Sequence, residues 1–476
     1  CTFIMIDQDH LFFSGIDIVT SGNQSQIIST LIYNREITNS RLRHNTFYRF
    51  NRIILVKRHY IITNHKEPCR YTLTDQSGHL ISIILRCDDR TALKCRKLHN
   101  LANSVIIFDE AQMLPLCHLR PCVAAMASLA EYVGSTLVLC TATQPYLSDL
   151  LRTYAPGHTV MELCPQTEEI YDRFRRVTFR QAGVLEDDAL TERLSNHRQV
   201  LCVVNSRRAA QQIFDRLPKE GCFHLSTLMI PTQRQAILEE IRQRLKDGEP
   251  CRVVSTSLIE AGVDVDFPTV YRELAGLDSI LQVAGRCNRE GKRAADESIV
   301  TVFERTELPP LLFRTAVGAT RHALEDGRDP AAQETMQRYF RELRTLSGET
   351  LDKYGVVKAF ETGISGCTLP FRTVAERFHF IDENTRTVYV PVGEGAALVE
   401  QLKAGECSKE LYRALGRYAV SVYDQHFKAL YAAGALLTAR DVPALDEDSA
   451  ILADLTLYDE RTGLTLEPEM GKALMI

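Results

Sequence analysis

The chain has 476 residues, with 56 Lys and Arg against 61 Asp and Glu, a formal net charge of −5, 45% hydrophobic residues and 25% charged ones. That length allows about three domains, and the composition is that of a globular protein with enough apolar residues to bury sizeable cores. The charge excludes a globally basic nucleic-acid coat protein but not a locally basic groove, because phosphate binding depends on where Lys and Arg sit.

Residues 1–90 contain no alanine and are rich in Ile, Arg, His and Asn. They carry no sustained period of two or 3.6. Short apolar runs, RIILV at 52–56 and HLISIIL at 79–85, are strand candidates. This segment is left unassigned, with non-native or frame-shifted sequence as the expected reading. The chain begins at Cys1 rather than Met, and a fragment is expected.

From residue 91 onward the pattern is α/β. SVIIF (104–108), TLVLC (136–140), QVLCVV (199–204), CRVVST (251–256) and SIVTVF (298–303) read as short buried strands separated by helical segments. Such alternation predicts parallel sheets covered by helices on both faces. Between them, Ser206 is expected to cap a helix whose Ala209, Ile213 and Leu217 share one face. A second helix should open at Pro231, bury Ile237, Ile241 and Leu245, and stop at Gly248. A third is expected from Asp278, as its cap, to Gly291, placing Gln282, Arg286 and Arg289 on one stripe. Residues 306–370 read as a helical linker. The remainder, 371–476, reads as a small α+β accessory domain with a hairpin at 377–393 turning at Asp382 to Thr385.

Three clusters carry chemistry. SVIIFDEAQMLP ends a buried strand on the adjacent acids Asp109 and Glu110. TLVLCTATQP ends another on Thr141, Ala142 and Thr143. In parallel sheets such strand ends line ligand crevices. The third cluster is the Gln282, Arg286 and Arg289 stripe, suited to phosphate because the Arg fork stays charged and binds bidentately. Taken singly, each has a plain alternative: surface acids, a capping Thr, a solvated Arg face.

In order and spacing these segments resemble the motor core of superfamily 2 helicases. DEAQ matches motif II, TAT motif III, VVNS motif IV, STSLIEAGVDVD motif V and QVAGRCNR motif VI. KLHNLANSVIIFDEAQMLP, HLSTLMIPTQR and FRTVAERFHFIDENT further resemble the helicase of type I CRISPR interference. The resemblance covers residues 91–476. It implies two RecA-like parallel-sheet domains, the first incomplete (91–165) and the second at 166–305, with ATP and Mg2+ as cofactors. Asp109 would hold the metal, Glu110 would activate water, and Gln112 with Thr141 to Thr143 would link nucleotide state to closure. Gly262 and Asp264 would approach the nucleotide. Gln282, Arg286 and Arg289 would reach the γ-phosphate. Thr143, His224, Ser226 and Thr256 would contact the tracked strand, a buried histidine being an even alternative for His224. Single-stranded DNA and a CRISPR surveillance complex are the implied partners.

Two family features are missing. No G-x-x-x-x-G-K-[ST] phosphate loop occurs in the chain, and none of its thirteen histidines is followed by Asp, as the family's nuclease would require. Position 283 is Val where many helicases of the superfamily have Arg. Hydrolysis by the chain itself is therefore expected to be feeble or nil. A general superfamily 2 helicase, or a non-catalytic nucleic-acid-binding fragment, remain the alternatives. The 14 cysteines form no C-x-x-C pair and read as buried reduced thiols, so an intracellular, cytoplasmic protein is expected. No apolar run reaches the roughly 18 residues needed to span a bilayer, and no leader pattern opens the chain, so no membrane partner is expected.

Overall fold

The computed structural model describes residues 2–7, 52–56, 61–63, 101–141, 147–163, 174–260, 262–366, 370–378 and 385–466. Two compact units emerge. One comprises Cys1–Thr141, Leu147–Pro165 and Asp352–Phe378; the other comprises Ala142–Tyr146, Gln166–Leu351 and His379–Ile476.

The first unit is built on a six-stranded sheet. Its strands are β1 (Thr2–Asp7), β2 (Arg52–Val56), β3 (Ile61–Thr63), β4 (Ser104–Asp109), β5 (Thr136–Thr141) and β6 (Thr159–Glu162), in the order β3-β2-β4-β5-β1-β6. The expected strands at 52–56, 104–108 and 136–140 all form, whereas 79–85 lies outside the described residues. Only the centre is parallel, β2 on β4 and β4 on β5. β1 runs antiparallel to both β5 and β6, and β3 antiparallel to β2, so this sheet is mixed rather than parallel throughout. β5 is buried along its whole length. The helix Leu119–Val133 buries Cys122, Val123, Met126 and Leu129 and ends at Gly134, whose φ of 65° suits a residue without a Cβ.

The second unit opens with the sheet that the sequence anticipates best. Strands β7 (Thr178–Val184), β8 (Gln199–Val203), β9 (Cys222–Leu225), β10 (Cys251–Ser255), β11 (Thr269–Glu273) and β12 (Ile299–Glu304) lie in the order β7-β12-β11-β8-β10-β9. Every pairing in it is parallel. Side chains alternate between two cores: Val200, Cys202 and Val204 enter one, Leu201 and Val203 the other. A strand needs such continuous hydrophobicity only when both faces are covered. The flanking helices follow their signals. Ser206 Oγ accepts the Ala209 N–H at 3.0 Å, and Ala209, Ile213 and Leu217 are buried. Pro231 opens the helix Pro231–Asp247, and Gly248 at φ 70° closes it.

The third expected helix is shorter than its pattern suggested. It spans Leu277–Ala284 with Gly276 as its cap, and Asp278, instead of capping, accepts a hydrogen bond from the Tyr339 hydroxyl at 2.7 Å. Arg286 and Arg289 therefore lie beyond the helix, and the stripe of three is corrected. The physical reason is a competing pairing. Phe267 N–H donates to Arg286 O and Asn288 N–H to Phe267 O, both at 2.9 Å, which draws the chain off the helical path. Asn288 takes φ 48° at that departure.

The C-terminal region carries a mixed sheet. Its strands are β13 (Thr385–Tyr389), β14 (Ala419–Tyr423), β15 (Leu436–Leu437) and β16 (Ser449–Leu452), followed by the small pair β17 (Tyr458–Asp459) and β18 (Gly463–Leu464). Residues 379–384 of the expected hairpin, with most of its turn, lie outside the described residues; β13 pairs antiparallel with β14 and parallel with β16. This region is bonded to the parallel-sheet domain through residues 228–233. Leu228 and Ile230 share a core with Val388, Val420, Leu452 and Leu464. Leu464 N–H donates to Leu228 O at 2.9 Å, Ile230 N–H donates to the Tyr458 hydroxyl at 3.0 Å, and that hydroxyl donates to Gln233.

Among the described residues no helix is long and apolar enough to cross a membrane. Six of the eight described cysteines are buried, in keeping with their reading as small core residues.

Candidate functional site

In the first unit β4 runs its apolar stretch to Asp109, in register with Cys140 of β5. The next residue, Glu110, departs from extended geometry with φ 58° and ψ 44° and begins a single 3-10 turn, Ala111–Met113. A left-handed conformation in a residue with a Cβ costs roughly 1–2 kcal/mol and persists where the surroundings enforce it. The enforcing contacts are visible. Gln112 Nε2 donates to the Glu110 carboxylate, and Gln112 Oε1 accepts the Thr141 hydroxyl proton. One glutamine thus ties the acid after β4 to the hydroxyl that ends β5, the two chain segments that the sequence matched to motifs II and III.

The second unit holds the other half of the candidate set. Arg286 is only 8% exposed. Its Nε donates to Ile259 O at 3.1 Å and its Nη2 to Glu260 O at 2.6 Å, so its fork is seated on the motif V turn. Arg289 is bonded to the same segment further along. Its Nε meets Asp264 Oδ1 at 2.6 Å and its backbone N–H meets Asp266 Oδ1 at 2.7 Å. Asp264 and Arg289, both proposed from sequence for the nucleotide, are thus partners of each other in an exposed ion pair. Gln282 lies half-buried on the short helix. Gly262 sits at φ 74° with open space where a Cβ would point.

Of the residues expected along a nucleic-acid strand, Thr143 lies outside the described residues. Thr256 is 8% exposed, and its N–H donates to Leu225 O at 3.2 Å. Ser226 is fully buried, its Oγ accepting the Leu228 N–H at 3.3 Å. His224 is 2% exposed on β9 with its ring 5.6 Å from that of Phe214. Burial pushes this imidazole down to about 4 from 6.5, Asp459 pulling weakly the other way. The folded value lies below the unfolded one, so the unfolded chain takes the proton first. Stability is complete above pH 6.5 and falls as the pH drops toward 4. Acidification from pH 7.5 to 5 should remove about 2 kcal/mol through this residue. Urea midpoints at the two pH values check this: His224→Leu should flatten the dependence, and an unchanged slope would contradict it.

Sequence reasoning passed over a heavily bonded group of the second unit. Arg272, in the middle of TVYRELAG, is 1% exposed and pairs with Glu260 at 3.1 Å. Burial raises the Glu260 carboxyl, with Arg272 and Ser279 partly offsetting it. Glu273 is raised in the same way, despite accepting the Asn205 N–H at 2.8 Å. The available signal was a lone arginine and glutamate inside a strand otherwise buried on both faces.

The wholly parallel sheet, carrying in order the segments that the sequence matched to motifs IV to VI, has the RecA-like form. The comparisons with known proteins are specific. Residues 196–292 match the family model described as CRISPR-associated nuclease/helicase Cas3, C-terminal. Over 78 residues the chain is 52% identical to a CRISPR-associated nuclease/helicase Cas3 of Haloferax volcanii, covering 16% of this chain and 8% of that protein. Over 243 residues it is 25% identical to that of Methanothermobacter thermautotrophicus, covering 46% and 28%. The fold matches the crystal structure of T. fusca Cas3 with a TM-score of 0.53 at 14% identity, over 92% of this chain and 62% of that one. The same protein with ADP gives 0.54 at 14% identity, over 81% and 56%. Over these matched regions the chain is similar in sequence to Cas3-like CRISPR helicases, and its fold is similar to that of T. fusca Cas3. Its matched regions span well under half the length of these curated relatives.

Proposed function

We propose that the chain carries the motor portion of an ATP-driven single-stranded-DNA translocase that unwinds target DNA in CRISPR antiviral defence, recruited by a surveillance complex. The observation that carries this reading is the Glu110–Gln112–Thr141 bridge, because a motor must transmit the state of its nucleotide from the acid pair to a neighbouring strand. The residues present fit a magnesium nucleotide in part. Asp109 and Glu110 offer the hard oxygen donors that Mg2+ prefers, and the ion would supply charge neutralisation at the phosphates. Glu110 is the group to orient a water molecule and take its proton, with Gln112 fixing the carboxylate for that task. Arg286 serves as the phosphate-sensing arginine. Thr256 and the segment after β9 are the candidates beside the nucleic-acid backbone.

The fit is incomplete at the β- and γ-phosphates. Backbone N–H groups of a glycine-rich loop and its lysine normally cradle them, and the chain contains no G-x-x-x-x-G-K-[ST]. The chain alone should therefore bind single-stranded DNA yet turn over ATP slowly. Anisotropy titrations of a labelled oligonucleotide should show affinity falling at least about tenfold between 50 and 200 mM salt. Absence of binding at low salt would sink the translocase reading. Equal preference for RNA would favour a superfamily 2 helicase of another pathway.

A further inference from the structure

Arg272 is among the largest fully buried side chains of the described residues. It stands in β11, inside a parallel sheet, beside β8, which fills with Val, Leu and Cys. An apolar residue there would hold the sheet at least as well, because withdrawing two charges from water consumes most of what their pairing returns. Its bonding shows what an apolar residue could not do. Nη1 donates to Val203 O at 3.3 Å, Asn205 Oδ1 at 2.8 Å and Glu273 O at 3.0 Å. Nη2 donates to Glu260 Oε1 at 3.1 Å and Ser279 Oγ at 2.7 Å, and Ser279 in turn donates to Glu260 Oε1 at 2.7 Å.

One guanidinium therefore gathers the end of β8, the motif V turn and the first turn of the helix that leads to motif VI. Glu260 has two ends in use. Its carboxylate is held by Arg272 and Ser279, while its backbone carbonyl holds Nη2 of Arg286. We propose that Arg272 and Glu260 are a positioning pair that fixes Arg286 by locking the carbonyls on which its fork is seated. The functional value of the pair rests on the phosphate-sensing role proposed for Arg286, whereas the positioning itself rests on the contacts alone. A rigid seat matters because displacing a reacting group by about 1 Å can cost on the order of 10²-fold in rate.

Hydrogen exchange on the full chain tests this without depending on turnover. In Glu260→Ala, the amides of Ile259, Glu260 and Gly285 to Asn288 should exchange at least about tenfold faster, while those of β8 and β10 keep their protection. Glu260→Gln retains an acceptor oxygen for Ser279 and Arg272 and should restore protection to within about twofold of the parent. The double variant Glu260→Leu/Arg272→Met removes both charges of the pair together while Arg305 still faces Glu273, so it should fold and still show the local loss. Unchanged protection at Gly285 to Asn288 in the double variant overturns the proposal. So does loss spread evenly over the whole sheet, or failure of Glu260→Gln to restore protection. Turnover of an Arg286→Ala variant reports separately on what that arginine does, so failure of the functional reading and failure of the positioning claim are distinguishable.

Discussion

Arg286→Ala should leave nucleotide affinity within a few-fold and lower DNA-stimulated ATP turnover by about 10³–10⁵, the range an arginine reaching the transferring phosphoryl group contributes. By transition-state arithmetic this is roughly 4–7 kcal/mol of barrier. The expectation separates the two arginines of the segment. Arg286 is buried and fork-bonded to two carbonyls, so it is held in one orientation. Arg289 is 41% exposed and pairs with an Asp264 that is 79% exposed. Surface pairs of that kind contribute about 0–1 kcal/mol, and Arg289→Ala should reduce turnover far less. Arg286→Lys should not rescue, because one ammonium cannot span Ile259 O and Glu260 O while facing a phosphate. The assay is phosphate release at saturating single-stranded DNA, in a form of the protein that supplies a phosphate loop. Undiminished turnover in Arg286→Ala would remove this residue from the site.

Gly463→Ala should destabilise the second unit by about 2–5 kcal/mol, combining roughly 1–2 for a Cβ at positive φ with about 1–3 for overpacking. At this position φ is 86°, and an added Cβ would lie 2.4 Å from Leu228 O and 2.8 Å from Met229 N. Backbone must therefore move. What moves is the joint between β18 and residues 228–233, where Leu464 N–H meets Leu228 O. Gly434 provides the control, having φ 72° and nothing within 4 Å of its would-be Cβ. Gly434→Ala should cost only the conformational part, and the difference between the two denaturation midpoints isolates the steric contact. Equal losses would show that the C-terminal region does not lean on this loop. A lowered affinity of Gly463→Ala for single-stranded DNA would join the brace to the segment proposed to lie beside the strand, which follows His224 and Ser226.

Much of the second unit was legible before any coordinates. Val200 to Val204, Val253 and Val254, and Val300 to Phe303 are runs long enough for strands and too short for helices, and both faces of each demand cover. Ser206, Pro231 and Gly248 punctuate their helices by local chemistry alone, which is why they stand where the sequence puts them. β7 and β11 escaped notice for the opposite reason. β7 is an edge strand whose residues are all half-buried or exposed, and β11 holds Arg272 and Glu273 where a buried strand is normally apolar.

By itself the sequence determined the order of the motor motifs, the acids that close β4, the parallel α/β class of the second unit and the absence of a phosphate-loop signature. These depend on residue type, spacing and periodicity, which are properties of neighbours along the chain. Tertiary structure decided where the motif VI helix stops, because Phe267 captures the backbone of Arg286 and Asn288 from across the fold. It decided the partners of β13, which are the sequence-distant strands β14 and β16. It also decided that Arg272, Glu260 and Ser279 converge under Arg286, since residues 7 to 19 positions apart meet only once the sheet has closed.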